Sequence, residues 1–521
     1  MRTKKADTRN QQSALLDHKL AATSTSERVK GASRPTRMST GVAELDEILR
    51  GGIIPRRAYL VRGDPGCGKT TLGMHFLCAG AARNEATLLI SLGEPQDHLY
   101  ANAASIGLDL KDVAFLDLSV NTRFFTEMEN YDPLDSHGTE DRSLSQKIIR
   151  QIEQLKPQRV FLDTMTQLRI LSPDTFQFRR QVLALLNFLT EQEATVLFTS
   201  ERSDNSFDED LQAISDGIIN LTSTPGGRKL FISKFRGSGY LTGQHAMRLT
   251  ERGLEIFPQL PLRAYTRSFE AEQISSGMLE LDSLLHGGVA RETITLVTGP
   301  TGVGKTTLGL QFMREAASRG ERSLICLFEE WEDMLLERSE SISIPVRAMR
   351  EAGSLFIEQV EPLYYTADEF AYLVRKKVEE KRISIVMIDS IAGYRLSVQG
   401  DDLANQLHRL CKYLQNAGVT VLLINEIAEI GGDFKVTDLG ISYMADNVIF
   451  LRYIESHGEL HKAIGVLKKR LTDFDKSMHE FEITRYGIKI GHSLTELRGI
   501  LGKVPMLPAS SDKKNKWRAR E

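Results

Sequence analysis

The stretches AYLVRGDPGCGKTT (58–71) and TITLVTGPTGVGKTT (293–307) decide the fold. Each runs from an apolar strand pattern into a glycine-rich turn and on into a helix pattern. Each turn satisfies GxxxxGK[ST], as GDPGCGKT (63–70) and GPTGVGKT (299–306). In that setting backbone N–H groups wrap a phosphate, and the helix N-terminus faces it. ATP with Mg²⁺ is the expected ligand. Its phosphates fall to the Gly63, Gly66, Gly68 and Gly299, Gly302, Gly304 loops, with Thr71 and Thr307 opening the helices. Lys69 and Lys305 are placed to reach the β and γ phosphates, and Thr70 and Thr306 to ligate the metal.

Working outward, the rest of the chain repeats in step. STGVAELDEILRGG (39–52) returns as SSGMLELDSLLHGG (275–288), and the offset of 236 residues is the same as that between Lys69 and Lys305. Apolar strands follow each loop in the same order: TLLIS (87–91) and SLICLF (323–328), then RVFLD (159–163) and SIVMID (384–389), then ATVLFTSE (194–201) and VTVLLINE (419–426). Unbroken apolar strands alternating with helices indicate an α/β fold, with mostly parallel sheets covered on both faces. DGIINLT (216–222) with RKLFISKF (228–235), and DNVIFLRY (446–453) with HKAIGVLKK (461–469), read as added antiparallel strands.

The expected organisation is a polar tail at 1–37, a first P-loop domain at 38–257, a linker at 258–272, a second domain at 273–490 and a C-terminal tail at 491–521. A length of 521 residues suits two domains. No run is long and apolar enough for a membrane span, and the N-terminus lacks a secretory apolar core, so a cytoplasmic location is expected. Cys67, Cys78, Cys326 and Cys411 form no CxxC pair, which argues against a disulfide framework or zinc ribbon. A net charge of −3 disfavours nucleic acid as a partner.

Asp163 and Asp389 end apolar strands, where a P-loop fold holds an aspartate near the metal; the alternative is a cap on the next helix. Glu329 and Glu330 end the strand after the second P-loop helix and can polarise an attacking hydroxyl or water. The first half has Gly93 and Glu94 there, keeping one carboxylate. Lys234 with Arg236, and Lys468 with Arg470, lie on late strands and are candidates for the phosphate of a neighbouring subunit.

These residues carry a resemblance to the KaiC family of bacterial clock ATPases and autokinases, within the RecA/DnaB superfamily. It covers most of 38–490. It rests on the duplicated lead-in, the two P-loops, the segment Phe328-Glu329-Glu330 and VTDLGISYMADNVIFLRY (436–453). The resemblance implies tandem RecA-like domains, a homohexamer with ATP at subunit interfaces, and phosphorylation at Ser442, with Tyr443 at the second acceptor position and Thr437 ahead of them. It also implies regulation, or contact with signalling proteins, through the C-terminal tail. Tyr443 departs from the family's Ser or Thr, Gly93 from its glutamate pair, and Leu471 from a glycine after the basic strand. The departures point to a homologue outside the three-protein oscillator. On the residues alone, a DNA-dependent ATPase motor and a nucleotide-switched scaffold with little hydrolysis stay open.

Overall fold

The protein is described from a computed structural model, which covers residues 36–118, 143–171, 175–202, 206–224, 226–261, 272–399, 402–427, 443–456 and 459–494. The first domain's strands are β1 (Ala58–Gly63), β2 (Thr87–Ser91), β3 (Ala114–Asp117), β4 (Arg159–Asp163), β5 (Thr195–Glu201), β6 (Gly217–Thr224), β7 (Gly227–Phe235), β8 (His245–Thr250) and β9 (Gly253–Phe257). They form one sheet in the order β3-β2-β4-β5-β1-β6-β7-β8-β9. The second domain's sheet comprises β10 (Ile294–Gly299), β11 (Ser323–Leu327), β12 (Leu355–Gln359), β13 (Ile385–Asp389), β14 (Thr420–Glu426), β15 (Asn447–Ser456), β16 (Glu459–Lys469), β17 (His479–Thr484) and β18 (Gly487–Ser493). Its order, β12-β11-β13-β14-β10-β15-β16-β17-β18, repeats the first sheet strand for strand. The fold is two tandem RecA-like α/β domains.

The P-loop strand shows why both faces are covered. Ala58 and Leu60 enter one buried apolar cluster and Tyr59 and Val61 the other, because successive side chains point to opposite faces. The P-loop helices, α1 (Lys69–Ala81) and α2 (Lys305–Ser318), approach the sheet closely through a glycine apiece. A β-carbon at Gly73 would lie 2.1 Å from the Phe161 ring, and one at Gly309 would lie 2.2 Å from Met387 Sδ.

The repeated lead-in is structural. Asp46 accepts the Thr40 N–H (2.7 Å) and hydroxyl (2.8 Å) and the Ser39 hydroxyl (2.5 Å), while Asp282 accepts Ser276 N–H (2.8 Å) and Ser275 Oγ (2.5 Å). One carboxylate thus satisfies donors ahead of a short helix in each domain.

Two expectations change. The strand at 216–222 is antiparallel to β7, as expected, but its other edge runs parallel to β1, with Leu60 beside Ile218; β15 likewise runs antiparallel to β16 and parallel to β10. In the first domain the helix Ser206–Ile214 carries the chain back across the sheet before β6 begins, which makes the pairing parallel. The antiparallel additions are β7, β8 and β9 and their counterparts. Second, the segment expected as tail from 491 begins inside β18, which continues to Ser493. Residues 1–35 and 495–521 of the expected tails lie outside the described residues.

The domains are clasped by side chains. Arg248, on β8, holds both carboxylate oxygens of Glu369 at 2.6 and 2.7 Å. Glu369 also completes a capping box with Thr366 at the start of α3 (Ala367–Lys381). Arg375 bonds Glu47 at 2.8 Å, the Tyr372 hydroxyl donates to Glu44 at 3.0 Å, and Leu260 is buried in the second domain's core.

Candidate nucleotide sites

Both P-loops follow the central strand of a sheet, β1 or β10, and turn into a helix. Gly66 and Gly68 have φ of +72° and +103°, and Gly302 and Gly304 have +74° and +114°. These left-handed conformations require glycine and turn the loop amides inward. Leu249 and Ile483 lie over the last loop glycine of each site, 2.9 and 2.5 Å from where a β-carbon would sit on Gly68 and Gly304.

Both lysines are buried and folded back over their loops. Lys69 Nζ donates to the carbonyls of Gly63 (2.8 Å) and Asp64 (2.9 Å), and Lys305 Nζ to that of Pro300 (2.8 Å). Burial lowers the Lys305 pKa, while Glu426, Asp389 and Glu329 act to raise it. Thr71 lines a cavity of about 390 Å³ beside the first loop, together with Lys69, Thr70 and Glu94. Thr307 is buried instead.

The two aspartates meet the threonines. Thr70 Oγ1 donates to Asp163 Oδ2 at 2.7 Å, and Thr306 Oγ1 to Asp389 Oδ2 at 2.6 Å. Parallel pairing places Ser91 beside Asp163 and Leu327 beside Asp389, so these strand ends converge near the P-loop. Burial pushes the Asp389 carboxyl up, opposed by the Thr306 hydrogen bond. Among the described residues no group of three or more His, Cys, Asp or Glu could hold a metal. A hydroxyl and a carboxylate in contact do fit Mg²⁺, which takes oxygen ligands and completes its octahedron with phosphate oxygens and water. Thr70 with Asp163, and Thr306 with Asp389, are the pairs that would hold it.

The glutamates differ between the sites. Glu329 Oε2 accepts the Ser390 hydroxyl at 3.2 Å. Glu330 Oε2 accepts Arg338 at 2.7 Å, and burial raises its carboxyl against the pull of that guanidinium. Glu94 is exposed, and its backbone is tied to the Ser91 hydroxyl.

Three further participants escape a reading of motifs. Glu201 and Glu426 end β5 and β14, directly beside Gly63 and Gly299. The Glu426 carboxylate accepts the Thr301 hydroxyl of the second P-loop. Thr199 donates to the free oxygen of Asp163 at 2.5 Å. The acidic ends of TSE and INE were the available signal, since parallel neighbours of a P-loop strand end at its loop. Cys67 is buried against the strand end, where the second domain has Val303.

The basic residues are not near their own chain's P-loop. Lys234 pairs with Ile218 and Lys468 with Val448, at the edge where the parallel strands begin, whereas the P-loops follow the strand ends. β10 alone separates the two edges by about 16 Å. These residues have partners within their own chain. Lys234 donates to the carbonyls of Gln212 (2.7 Å) and Ala213 (3.1 Å), and Arg236 lies 3.7 Å from Asp216. Lys468 donates to Ala445 O (2.7 Å), and Arg470 to Asp446 (3.1 Å) and Tyr443 O (2.9 Å). Lys234 thus meets the last-turn carbonyls of the helix Ser206–Ile214, and Lys468 and Arg470 meet carbonyls just ahead of β15. Tyr443 is exposed, its hydroxyl 3.2 Å from His408 Nδ1; Thr437 and Ser442 lie outside the described residues.

The fold and the paired lysine, threonine and aspartate groups define a tandem P-loop ATPase. The family model described as "ATPase: KaiC" matches residues 38–261 and again 274–495, and the chain belongs to that family. It is 28% identical to the circadian clock oscillator protein KaiC of Parasynechococcus marenigrum over 484 residues, covering 90% of this chain and 93% of the relative. It is 27% identical to the Synechococcus elongatus protein of the same name (90% and 92% covered). It is 26% identical to the circadian clock protein KaiC3 of Synechocystis (91% and 96% covered). Among the described residues no helix is long and apolar enough to cross a membrane.

Proposed function

We propose that this KaiC-family ATPase binds Mg-ATP at both P-loops and is a serine autokinase whose second domain transfers the γ-phosphate to Ser442 of a neighbouring subunit, in a signalling or timing role. The observation that carries this reading is the placement of Tyr443, Lys468 and Arg470. They cluster just ahead of β15, at the sheet edge away from their own P-loop. Tyr443, the residue after Ser442, therefore stands away from its own chain's second P-loop. A ring in which each P-loop end meets the next subunit's strand starts brings the acceptor and the basic residues to a γ-phosphate, in keeping with a homohexamer.

Within that site Lys305 neutralises charge on the β and γ phosphates, and Thr306 and Asp389 hold the metal, which supplies further charge neutralisation when bound. The Ser442 oxygen forms the new bond to phosphorus as the bond to the β-phosphate oxygen breaks and ADP leaves. Glu329, oriented by Ser390, takes the serine proton, and Glu330 is tied to Arg338. Tyr443 is a poorer acceptor, because its phenolic oxygen lies farther from the backbone than a serine oxygen. The first domain, with Glu94 alone, hydrolyses ATP.

Incubation with γ-³²P-ATP and Mg²⁺, followed by peptide mapping, tests this. Label is expected on the peptide bearing Ser442, lost in Ser442→Ala and Lys305→Ala and retained in Tyr443→Phe. Full labelling of Ser442→Ala, or label on Tyr443 alone, overturns the assignment. Hydrolysis stimulated by DNA would move the protein to the motor class.

A further inference from the structure

The two candidate sites exchange a glycine for a side chain. Two residues beyond the strand end that pairs with the aspartate stands Gly93 in the first domain and Glu329 in the second. Four residues beyond the aspartate, in the helix that follows it, stands Gln167 in the first and Gly393 in the second. These positions face one another. A β-carbon on Gly93 would lie 3.2 Å from Gln167 Cγ, 3.6 Å from its Cδ and 3.5 Å from its Nε2. A β-carbon on Gly393 would lie 2.5 Å from Phe328 Cβ, 3.1 Å from Glu329 Cγ and 3.4 Å from its Cδ. A side chain on Gly393 would run into Phe328 and then Glu329, and one on Gly93 would press on the exposed Gln167 chain. The second domain supplies a carboxylate from the strand end, and the first supplies a carboxamide from the helix.

We infer that Gln167 orients the attacking water in ATP hydrolysis by the first domain; this rests on the reading that the first P-loop binds ATP. A carboxamide can accept a hydrogen bond from water through Oε1 and donate one to a phosphate oxygen through Nε2, so it bridges nucleophile and γ-phosphate. It has no site for the proton. As the water oxygen bonds to phosphorus and the bond to the β-phosphate oxygen breaks, releasing ADP, the proton passes to Glu94, which lines the same cavity as Lys69 and Thr70. The exchange leaves the first site able to position water while lacking a counterpart of the Glu329 carboxylate.

The test uses full-length Lys305→Ala protein, in which hydrolysis reports the first site, with binding of a fluorescent ATP analogue measured in parallel. Gln167→Ala is expected to lower kcat by about 10²-fold, the scale of a lost orienting group, with analogue affinity unchanged. Gln167 is exposed, so the fold should survive, and circular dichroism checks that. Gly93→Glu alone crowds Gln167 and is expected to lower turnover, whereas Gly93→Glu with Gln167→Gly rebuilds the second-site arrangement. That double variant should recover at least tenfold in kcat over Gln167→Gly while analogue affinity and melting temperature stay level, whereas a packing role would move the melting temperature along with kcat. Turnover of Gln167→Ala within twofold of its parent, or no recovery in the double variant, overturns the inference. If the Lys305→Ala parent fails to bind the analogue, the nucleotide-site reading falls, and this inference with it.

Discussion

Arg248→Met removes the guanidinium that joins the two domains and keeps most of the apolar stem. In the native protein that guanidinium lies 2.6 and 2.7 Å from the Glu369 oxygens, with its carbon 4.4 Å from the Tyr364 ring centre. Glu369 is only 3% exposed, so its charge is left with little water once the arginine is gone. Breaking a buried pair from one side costs about 3–5 kcal/mol. Here the Thr366 N–H still reaches Glu369 at 2.7 Å, and Arg248 is itself 26% exposed, which brings the expected cost to about 2–3 kcal/mol. At about 2–4 °C per kcal/mol for a domain of this size, the second domain's melting transition should fall by roughly 4–12 °C. Calorimetry at fixed nucleotide concentration measures this. Glu369→Gln added to Arg248→Met keeps an oxygen for the Thr366 N–H and removes the stranded charge, so it should recover more than half the loss. A single variant melting within about 1 °C of wild type, or a double variant no better than the single, would refute the reasoning.

Gly73→Ala places a methyl group 2.1 Å from the Phe161 ring, too close for a small adjustment, and should cost about 3 kcal/mol in urea unfolding or abolish soluble expression. Burial lowers the pKa of His75 and His245, and each ring accepts a backbone N–H, from Leu254 and Gln259 respectively, both at 3.0 Å. The unfolded chain binds these protons more readily, so first-domain stability should be full above about pH 6.5 and decline as pH falls below it; urea midpoints at pH 7.5 and 5.5 check this, and His245→Asn should flatten the slope. Arg470→Ala breaks a half-exposed pair with Asp446 and should change stability by less than about 1 kcal/mol, while lowering labelling of Ser442 at least tenfold; equal labelling would remove Arg470 from the transfer site. Lys69→Ala should weaken ATP-dependent assembly measured by light scattering, and an unchanged assembly would detach the first site from ring formation.

Much of the candidate site was legible because it is local. A P-loop is eight contiguous residues whose glycines are needed for their own backbone angles, so Gly66, Gly68, Gly302 and Gly304 announce the turn without their neighbours. Asp163 and Asp389 were legible for a related reason: an apolar strand ending in a carboxylate places it at a sheet edge. The direction of β6 was not. An apolar run pairs equally well in either sense, and only the path of the preceding helix decides it.

Read alone, the chain announces two copies of one α/β unit, where each glycine-rich turn lies and which lysine, threonine and aspartate are candidates to serve it. The tertiary structure decided what those groups meet. It set Glu201 and Glu426 beside the loops through parallel pairing, turned Lys234 toward a helix-end carbonyl and Arg470 toward one just ahead of β15, set Gln167 opposite Gly93, and closed Arg248 on Glu369 across 121 residues of chain. Backbone torsions are written residue by residue and can be read that way. Contacts between distant segments depend on strand order and on how closely the layers approach, and no single segment carries that information.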